Sequence, residues 1–247
     1  MPAKRVALFA TCLADIFMPE VPESVVRLLR RAGVQVEFPG GQTCCGQPAY
    51  NSGFAPEARR LADNFVRVFE SYEYVISPSG SCASTVRLYY PELYAADPRR
   101  QEQVKALAGR VYEFSEFFVG VLGLEDVGAR MKGRATYHPP CHMSRELGIV
   151  SQPRRMLRAV QGLELVEMER ADLCCGFGGS FAVRMPEISV AIGDEKLEHV
   201  AATAADYLVS CDGGCLMHMN GRLQRLGRPA PRPVHLAQLL WEGVSGR

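Results

Sequence analysis

The sequence predicts an α/β protein made by internal duplication: two pseudo-symmetric, Rossmann-like halves, each a parallel sheet covered by helices. Three observations predict it. Strand-like and helix-like segments alternate along the 247 residues, the signature of parallel strands joined by helical crossovers. "YEYVISPSGSC", ending at Cys82, lies without a gap against "ADYLVSCDGGC", ending at Cys215, so that Tyr74, Ser77, Gly80 and Cys82 match Tyr207, Ser210, Gly213 and Cys215. All nine cysteines fall into two copies of one frame, Cys12, Cys44, Cys45 and Cys82, then Cys141, Cys174, Cys175, Cys211 and Cys215.

The elements follow in order. "VALFA" (6–10) reads as a buried strand. "PESVVRLLRRAG" reads as a helix, with Pro22 near its start, apolar residues at 25, 26, 28 and 29, and Gly33 just past its end. "VQVEF" (34–38) is the next strand, with Cys44 and Cys45 in the loop beyond it. "APEARRLADNFVRVFESY" is a second helix, its Leu61, Phe65, Val68 and Phe69 forming a core stripe. "YVIS" (74–77) is a third strand, and Cys82 is expected in the turn after it. The second half repeats this as strand 134–138, helix 153–161, strand 163–168, helix 186–205 and strand 207–210. "GVQVEFPGGQTCCG" matches "GLELVEMERADLCCG", "RVALFATC" matches "RATYHPPC", and the tails "VYEFSEFF" and "VHLAQLLW" agree. The repeats are expected over 1–125 and 133–247, as two bodies or one compact unit, with 119–133 joining them. The polar stretch 95–110 reads as a surface connection. In parallel sheets ligands sit beyond the carboxyl ends of strands, and every cysteine group here follows a strand.

Composition narrows the function. Apolar residues make up 47% and charged residues 22%, a globular balance, and a net charge of +1 points to neither nucleic acid nor an anionic membrane. No apolar run approaches a membrane span. "MPAKRVALFATCLADIF" has basic residues before an apolar run, but Asp15 interrupts it and no small-residue cleavage site follows, so it reads as the first strand of a cytoplasmic protein. An odd number of cysteines without an export signal argues for metal or redox chemistry rather than disulfides.

Several thiolates converging on one point suit a soft metal, either zinc or an iron–sulfur cluster. Adjacent cysteines are awkward for a small tetrahedral site, because side chains i and i+1 of an extended segment point to opposite faces. A sharp turn or a polynuclear centre resolves this, and Gly46 and Gly176 supply permissive backbone. Gly178, Gly179, Gly213 and Gly214 are expected to bring bare N–H groups near sulfides. A cluster fits the pattern better than zinc, which stands as the alternative.

The duplicated Cys…Cys-Cys-Gly…Cys frame resembles the cysteine-rich CCG-domain family. That family includes the B component of heterodisulfide reductase, the iron–sulfur component of glycolate oxidase and lactate utilization protein A. "CCGQPAYNSG" (44–53) and "CCGFGGSFAVRMPEIS" (174–189) are most similar to the last branch, and no ferredoxin-type run of closely spaced cysteines is present. The resemblance implies an iron–sulfur electron-transfer component of a cytoplasmic system oxidising L-lactate to pyruvate. Such a component is part of an oxidoreductase and works with lactate utilization proteins B, which carries ferredoxin-like clusters, and C. It further implies up to two clusters of 4Fe-4S or non-cubane type, one on Cys12, Cys44, Cys45 and Cys82, the other on Cys141, Cys174, Cys175 and Cys215. Cys211 is either a fifth ligand or a free thiol. The reductase pattern ends in Cys-x-x-Cys, whereas here Pro78 stands in place of Cys211 in the first frame and three residues separate Cys211 from Cys215, so the two sites are not equivalent. The alternatives are a thiol–disulfide redox enzyme of the heterodisulfide reductase type, or a zinc-bound or metal-free scaffold.

Other residues carry weaker signals. His138 and His142 bracket Cys141; a histidine there ordinarily hydrogen-bonds and less often ligates or donates a proton. His199, His218 and His235 show no ligand spacing. Arg145 and Arg184, near the cysteine loops, either offset thiolate charge, hold a carboxylate, or are solvated surface arginines. "GFGGS" lacks the P-loop lysine and the dinucleotide-binding spacing. No catalytic residue is assigned.

Overall fold

The computed structural model describes residues 4–228 and 230–246. The chain divides into two compact units, Met1–Phe117 and Phe118–Arg247.

In the first unit, β1 (Arg5–Leu8), β2 (Gln35–Glu37), β3 (Tyr74–Ser77) and β4 (Val111–Glu113) form one parallel sheet in the order β2-β1-β3-β4. Val6 sits opposite Val36 on one side and Tyr74 on the other. Strand order reverses between β1 and β3, so the crevice beyond their carboxyl ends is the topological switch point where such sheets hold ligands. The helix Glu20–Arg31 buries Val21, Val25, Leu28 and Leu29, with Glu20 and Glu23 in its first turn and Arg30 and Arg31 in its last, complementing the helix dipole. The helix Ala55–Phe69 buries Ala58, Ala62, Phe65, Val66 and Phe69. Phe9, at the end of β1, meets Phe65 edge-on at 5.1 Å and Phe69 at 5.7 Å.

The stretch 95–110, expected as a surface connection, is instead the helix Pro98–Ala108. Asp97 caps it by accepting the Arg100 N–H at 3.1 Å, and Val104, Leu107 and Ala108 are buried. Three apolar residues on one face are enough to dock a short helix, yet too few to stand out among their polar neighbours read as sequence.

The matching tails are the fourth strands of the two sheets, β4 here and β8 (Arg232–His235) in the second unit, each leading into a helix. At the end of β4 the fully buried Glu113 accepts the Ser115 N–H at 2.8 Å, its hydroxyl at 2.5 Å and the Glu116 N–H at 3.2 Å. Burial raises its pKa to about 7 against the pull of those bonds. The fold therefore favours the neutral carboxyl. That preference contributes fully below the unfolded value near 4.5 and is lost as pH rises through 7. Glu113→Gln should lose less stability than the native chain between pH 5 and pH 8, by about 3 kcal/mol at one pKa unit per 1.4 kcal/mol. Urea denaturation at the two pH values reads the difference, and parallel losses would contradict it.

The second unit repeats the sheet with β5 (Arg130–His138), β6 (Gln161–Leu165), β7 (Tyr207–Ser210) and β8, in the order β6-β5-β7-β8, all parallel. β5 begins four residues before its expected start at 134, so part of the expected joining segment is strand. A register shift between Arg130 and Gly133 hid this extension, with Gly133 at φ 128° passing through the irregularity. β6 ends at Leu165 rather than 168, although the Val166 N–H still donates to the Ala135 carbonyl at 2.8 Å. The helices expected at 153–161 and 186–205 run over Gln152–Arg158 and Pro186–Ala202. Among the described residues, no helix is long and apolar enough to cross a membrane.

Candidate metal centre

Each sheet delivers its cysteines to one edge. Cys12 opens the short helix Cys12–Phe17 beyond β1. The preceding Thr11 holds φ 69° and ψ 142°, a conformation that costs a non-glycine residue about 1–3 kcal/mol and persists where its surroundings require it. Cys44 and Cys45 lie in the loop after β2. Gln42 ties that loop to β1, its Nε2 donating to the Leu8 carbonyl at 2.8 Å and the Pro39 carbonyl at 3.0 Å while its Oε1 accepts the Ala10 N–H at 3.1 Å. The Tyr90 hydroxyl donates to the Cys45 carbonyl at 2.8 Å. Cys82, expected in a turn, lies within the helix Gly80–Ser84, where Ser79 caps the chain by accepting the Cys82 N–H at 3.3 Å. Gly46, at φ 86°, points its N–H at the Cys44 sulfur, 3.4 Å away.

These placements set the four thiols of the first frame beside one another, Cys44 interacting with Cys12 and Cys45, and Cys45 with Cys82. The protons of Cys12 and Cys45, with the Gly46 N–H, hold Cys44 as a thiolate well below the ordinary thiol range. Cys12 is held up by its bond to Cys44, then by burial, and Cys45 by its bonds to Cys44 and Cys82, then by burial. Cys12 and Cys44 are half-buried and border an open cleft of about 310 Å³, lined also by Thr11, Asp15, Ile16 and Phe38.

The second frame repeats the arrangement. Cys141 follows β5 and precedes a wide helical turn, His142–Glu146. Cys174 interacts with Cys141 and Cys175 and receives the Gly176 N–H at 3.3 Å, and Cys175 interacts with Cys215. Cys174 is thereby drawn well below the ordinary thiol range, chiefly by Cys141 and then Cys175. Cys215 lies in the first turn of the helix Gly213–Arg225, and Cys211, fully buried, directly follows β7.

One expectation changes here. The Gly214 N–H does not face a sulfur; it donates to the Asp212 carboxylate at 3.1 Å, and the missing side chain makes room for Phe177, whose ring a Cβ would meet at 2.7 Å. Arg145 donates to the Asp172 carbonyl at 2.6 Å, bracing the loop before Cys174, while its charge opposes the rise that Cys174 and burial impose on the Cys141 pKa; Arg184 is exposed, as a solvated surface arginine. Two further histidines are engaged elsewhere: His142 meets Glu146 at 2.9 Å, and His235 accepts the Ala237 N–H at 3.1 Å.

In the sequence His138 reads as an ordinary hydrogen-bonding residue. Its ring is fully buried and neither nitrogen has a hydrogen-bond partner. Burial, then the charge of Lys196, lowers its pKa to about 3, so the ring is neutral. A ring nitrogen of His138 and the sulfurs of Cys175 and Cys215 all lie within 4.8 Å of one another. Converging thiols with a neutral imidazole beside one set are a donor chemistry that suits a soft or borderline metal. The cluster of His138, Cys175 and Cys215 is compatible with metal binding at the edge of the second sheet.

The profile of the CCG cysteine-rich domain matches this chain twice, over residues 6–87 and 135–220. The chain belongs to the cysteine-rich CCG family. Both CCG matches span the sheet edges just described. Curated relatives cover nearly the whole chain: lactate utilization protein A of Geobacillus sp. (strain WCH70) is 48% identical over 236 residues, 96% of this chain and 98% of that one. Its counterpart in Geobacillus kaustophilus (strain HTA426) is 49% identical over 236 residues, with the same coverage. Lactate utilization protein A 2 of Bacillus cereus (strain Q1) is 46% identical over 241 residues, 98% of this chain and 99% of that one. Among solved structures, a glutamate racemase from Francisella tularensis aligns over 100% of this chain and 81% of that one, but with a TM-score of 0.35 and 12% identity. Nothing about this chain's chemistry follows from a likeness that loose.

Proposed function

We propose that this CCG protein is an iron–sulfur electron-transfer component of a cytoplasmic system oxidising L-lactate to pyruvate. One observation carries the metal reading: each repeat sets its cysteines side by side at the carboxyl edge of a parallel sheet, and in the second the sulfurs of Cys175 and Cys215 and a ring nitrogen of His138 lie within 4.8 Å of one another. Its relatives, similar over nearly their full length, are named for lactate utilization, which supports the substrate reading.

In this reading Cys12, Cys44, Cys45 and Cys82 hold one cluster and Cys141, Cys174, Cys175 and Cys215 the other, each of 4Fe-4S or non-cubane type. Bound clusters would supply one-electron redox capacity. The chain's own residues bind and tune. Thiol protons now shared between neighbouring sulfurs leave on metal binding, so loading releases protons and weakens in acid. The Gly46 and Gly176 N–H groups, already aimed at Cys44 and Cys174 sulfurs, stabilise added negative charge there. Oxidation of lactate to pyruvate yields two electrons and two protons. Clusters held here would accept those electrons one at a time within a complex with lactate utilization proteins B and C, and the protons pass to solvent.

The test is the visible chromophore of protein purified without oxygen. L-Lactate should bleach it when proteins B and C are present, and air should restore it. A chromophore untouched by lactate with both partners present would contradict the reading. The half-buried Cys44 thiolate beside its cleft favours a second reading, thiol–disulfide exchange. Reduction of a disulfide substrate by the isolated protein would support that one instead.

A further inference from the structure

We propose that His138 gives the second centre an imidazole nitrogen as a direct ligand, so that the two repeats hold chemically different centres: sulfur alone in the first, sulfur and nitrogen in the second. This rests on the metal-centre reading above and adds to it.

The burial of His138 is the starting point. Buried polar side chains are nearly always hydrogen-bonded, and an unpaired one costs about 1–3 kcal/mol. His138 leaves both ring nitrogens unpaired at full burial, one of them within 4.8 Å of two cysteine sulfurs. A position selected only for packing would carry an apolar side chain, and the duplicated fold shows that side chain. Phe9 occupies the matching place in the first repeat, three residues before Cys12 as His138 stands three before Cys141. Phe9 is buried against Phe65.

The partner residue has changed as well. The helix Ala55–Phe69 buries positions 58, 62, 65, 66 and 69, and the helix Pro186–Ala202 buries 189, 193, 196, 197 and 200, the same spacing. Phe65 therefore corresponds to Lys196. An aromatic pair beneath the first centre is replaced by a histidine and a lysine, both fully buried, beneath the second. Lys196 donates to the Ala171 carbonyl at 2.7 Å, with Cys141, Cys175 and Cys215 within its electrostatic reach. A buried ammonium is sustained where negative charge faces it. Thiolates around a metal provide that charge, while the neutral imidazole offers a nitrogen lone pair.

The test uses the full chain, purified without oxygen, with histidine carrying nitrogen-15 or nitrogen-14. Iron and sulfide are counted, and pulsed electron paramagnetic resonance is recorded on the reduced protein. The expected result is a directly bonded histidine nitrogen that changes with the label, is lost in His138→Phe, and persists in Cys45→Ser, which alters only the first centre. His138→Phe/Lys196→Phe restores the pair of the first repeat and, with circular dichroism, separates loss of a ligand from loss of fold. Iron and sulfide at native levels with no bonded histidine nitrogen, or a second-centre signal unchanged in a folded His138→Phe, would overturn the proposal alone. A chain without iron would overturn the cluster reading and this inference together.

Discussion

Cys175→Ser should remove the iron and labile sulfide of the second repeat, roughly half of the chain's total if both frames load equally, and leave the first repeat's signal in place. The cause is local. Cys175 is buried, its thiol bonds both Cys174 and Cys215, and its sulfur lies within 4.8 Å of those of Cys215 and a ring nitrogen of His138. Serine keeps the size but offers a hard oxygen that stays protonated, a poor exchange for a thiolate on a soft metal. Cys45→Ser should do the same to the first repeat, because Cys45 likewise joins Cys44 to Cys82. Iron and sulfide per chain, with the absorption spectrum, report the loss. A folded Cys175→Ser protein with native iron and sulfide would remove Cys175 from the ligand set.

Gly176→Ala should destabilise the second unit far more than Gly46→Ala destabilises the first. Both glycines follow a cysteine pair and both have positive φ, 86° at Gly46 and 89° at Gly176, where an L-residue pays about 1–2 kcal/mol. Their surroundings differ. A Cβ at Gly46 would sit 3.4 Å from the Leu61 side chain, an ordinary contact. At Gly176 it would stand 2.3 Å from the Ser189 carbonyl oxygen and 3.1 Å from the Gly193 nitrogen, both backbone atoms that cannot turn aside. Ser189 also donates to the Gly176 carbonyl at 2.8 Å, so separating the two segments breaks that bond. Adding the clash to the strain puts Gly176→Ala at about 4 kcal/mol or more, among the largest single-residue effects, against about 1–2 kcal/mol for Gly46→Ala. Urea denaturation of the two variants decides it, and equal losses would contradict the packing described.

The duplication, the strand–helix alternation and the two cysteine frames were legible in the sequence because they are local or periodic. "YVIS" and "YLVS" were placed at their observed bounds, being short apolar runs leading into cysteine-bearing turns. The helix Pro98–Ala108 was missed because its buried face is narrow, and the start of β5 because an irregular register interrupts its pattern. Cys82 reads as a turn residue; the Ser79 cap begins a helix there instead. Within the site, the correspondence of Phe9 with His138 was present in the aligned repeats. Its meaning was not, since only the fold shows a buried ring with two unpaired nitrogens and Lys196 arriving from another helix. Gln42, which ties the Cys44 loop to β1, gave no signal, because a loop glutamine among glycines looks solvated until its three bonds are seen.

The central claim is that the two sulfur sets are iron–sulfur sites. Iron, acid-labile sulfide and zinc per chain, measured on protein purified without oxygen, test it most directly. The expected result is a brown protein whose iron and sulfide are equal and near a multiple of about four per chain, with little zinc. Stoichiometric zinc in a colourless protein, or no metal under anaerobic handling, would contradict it.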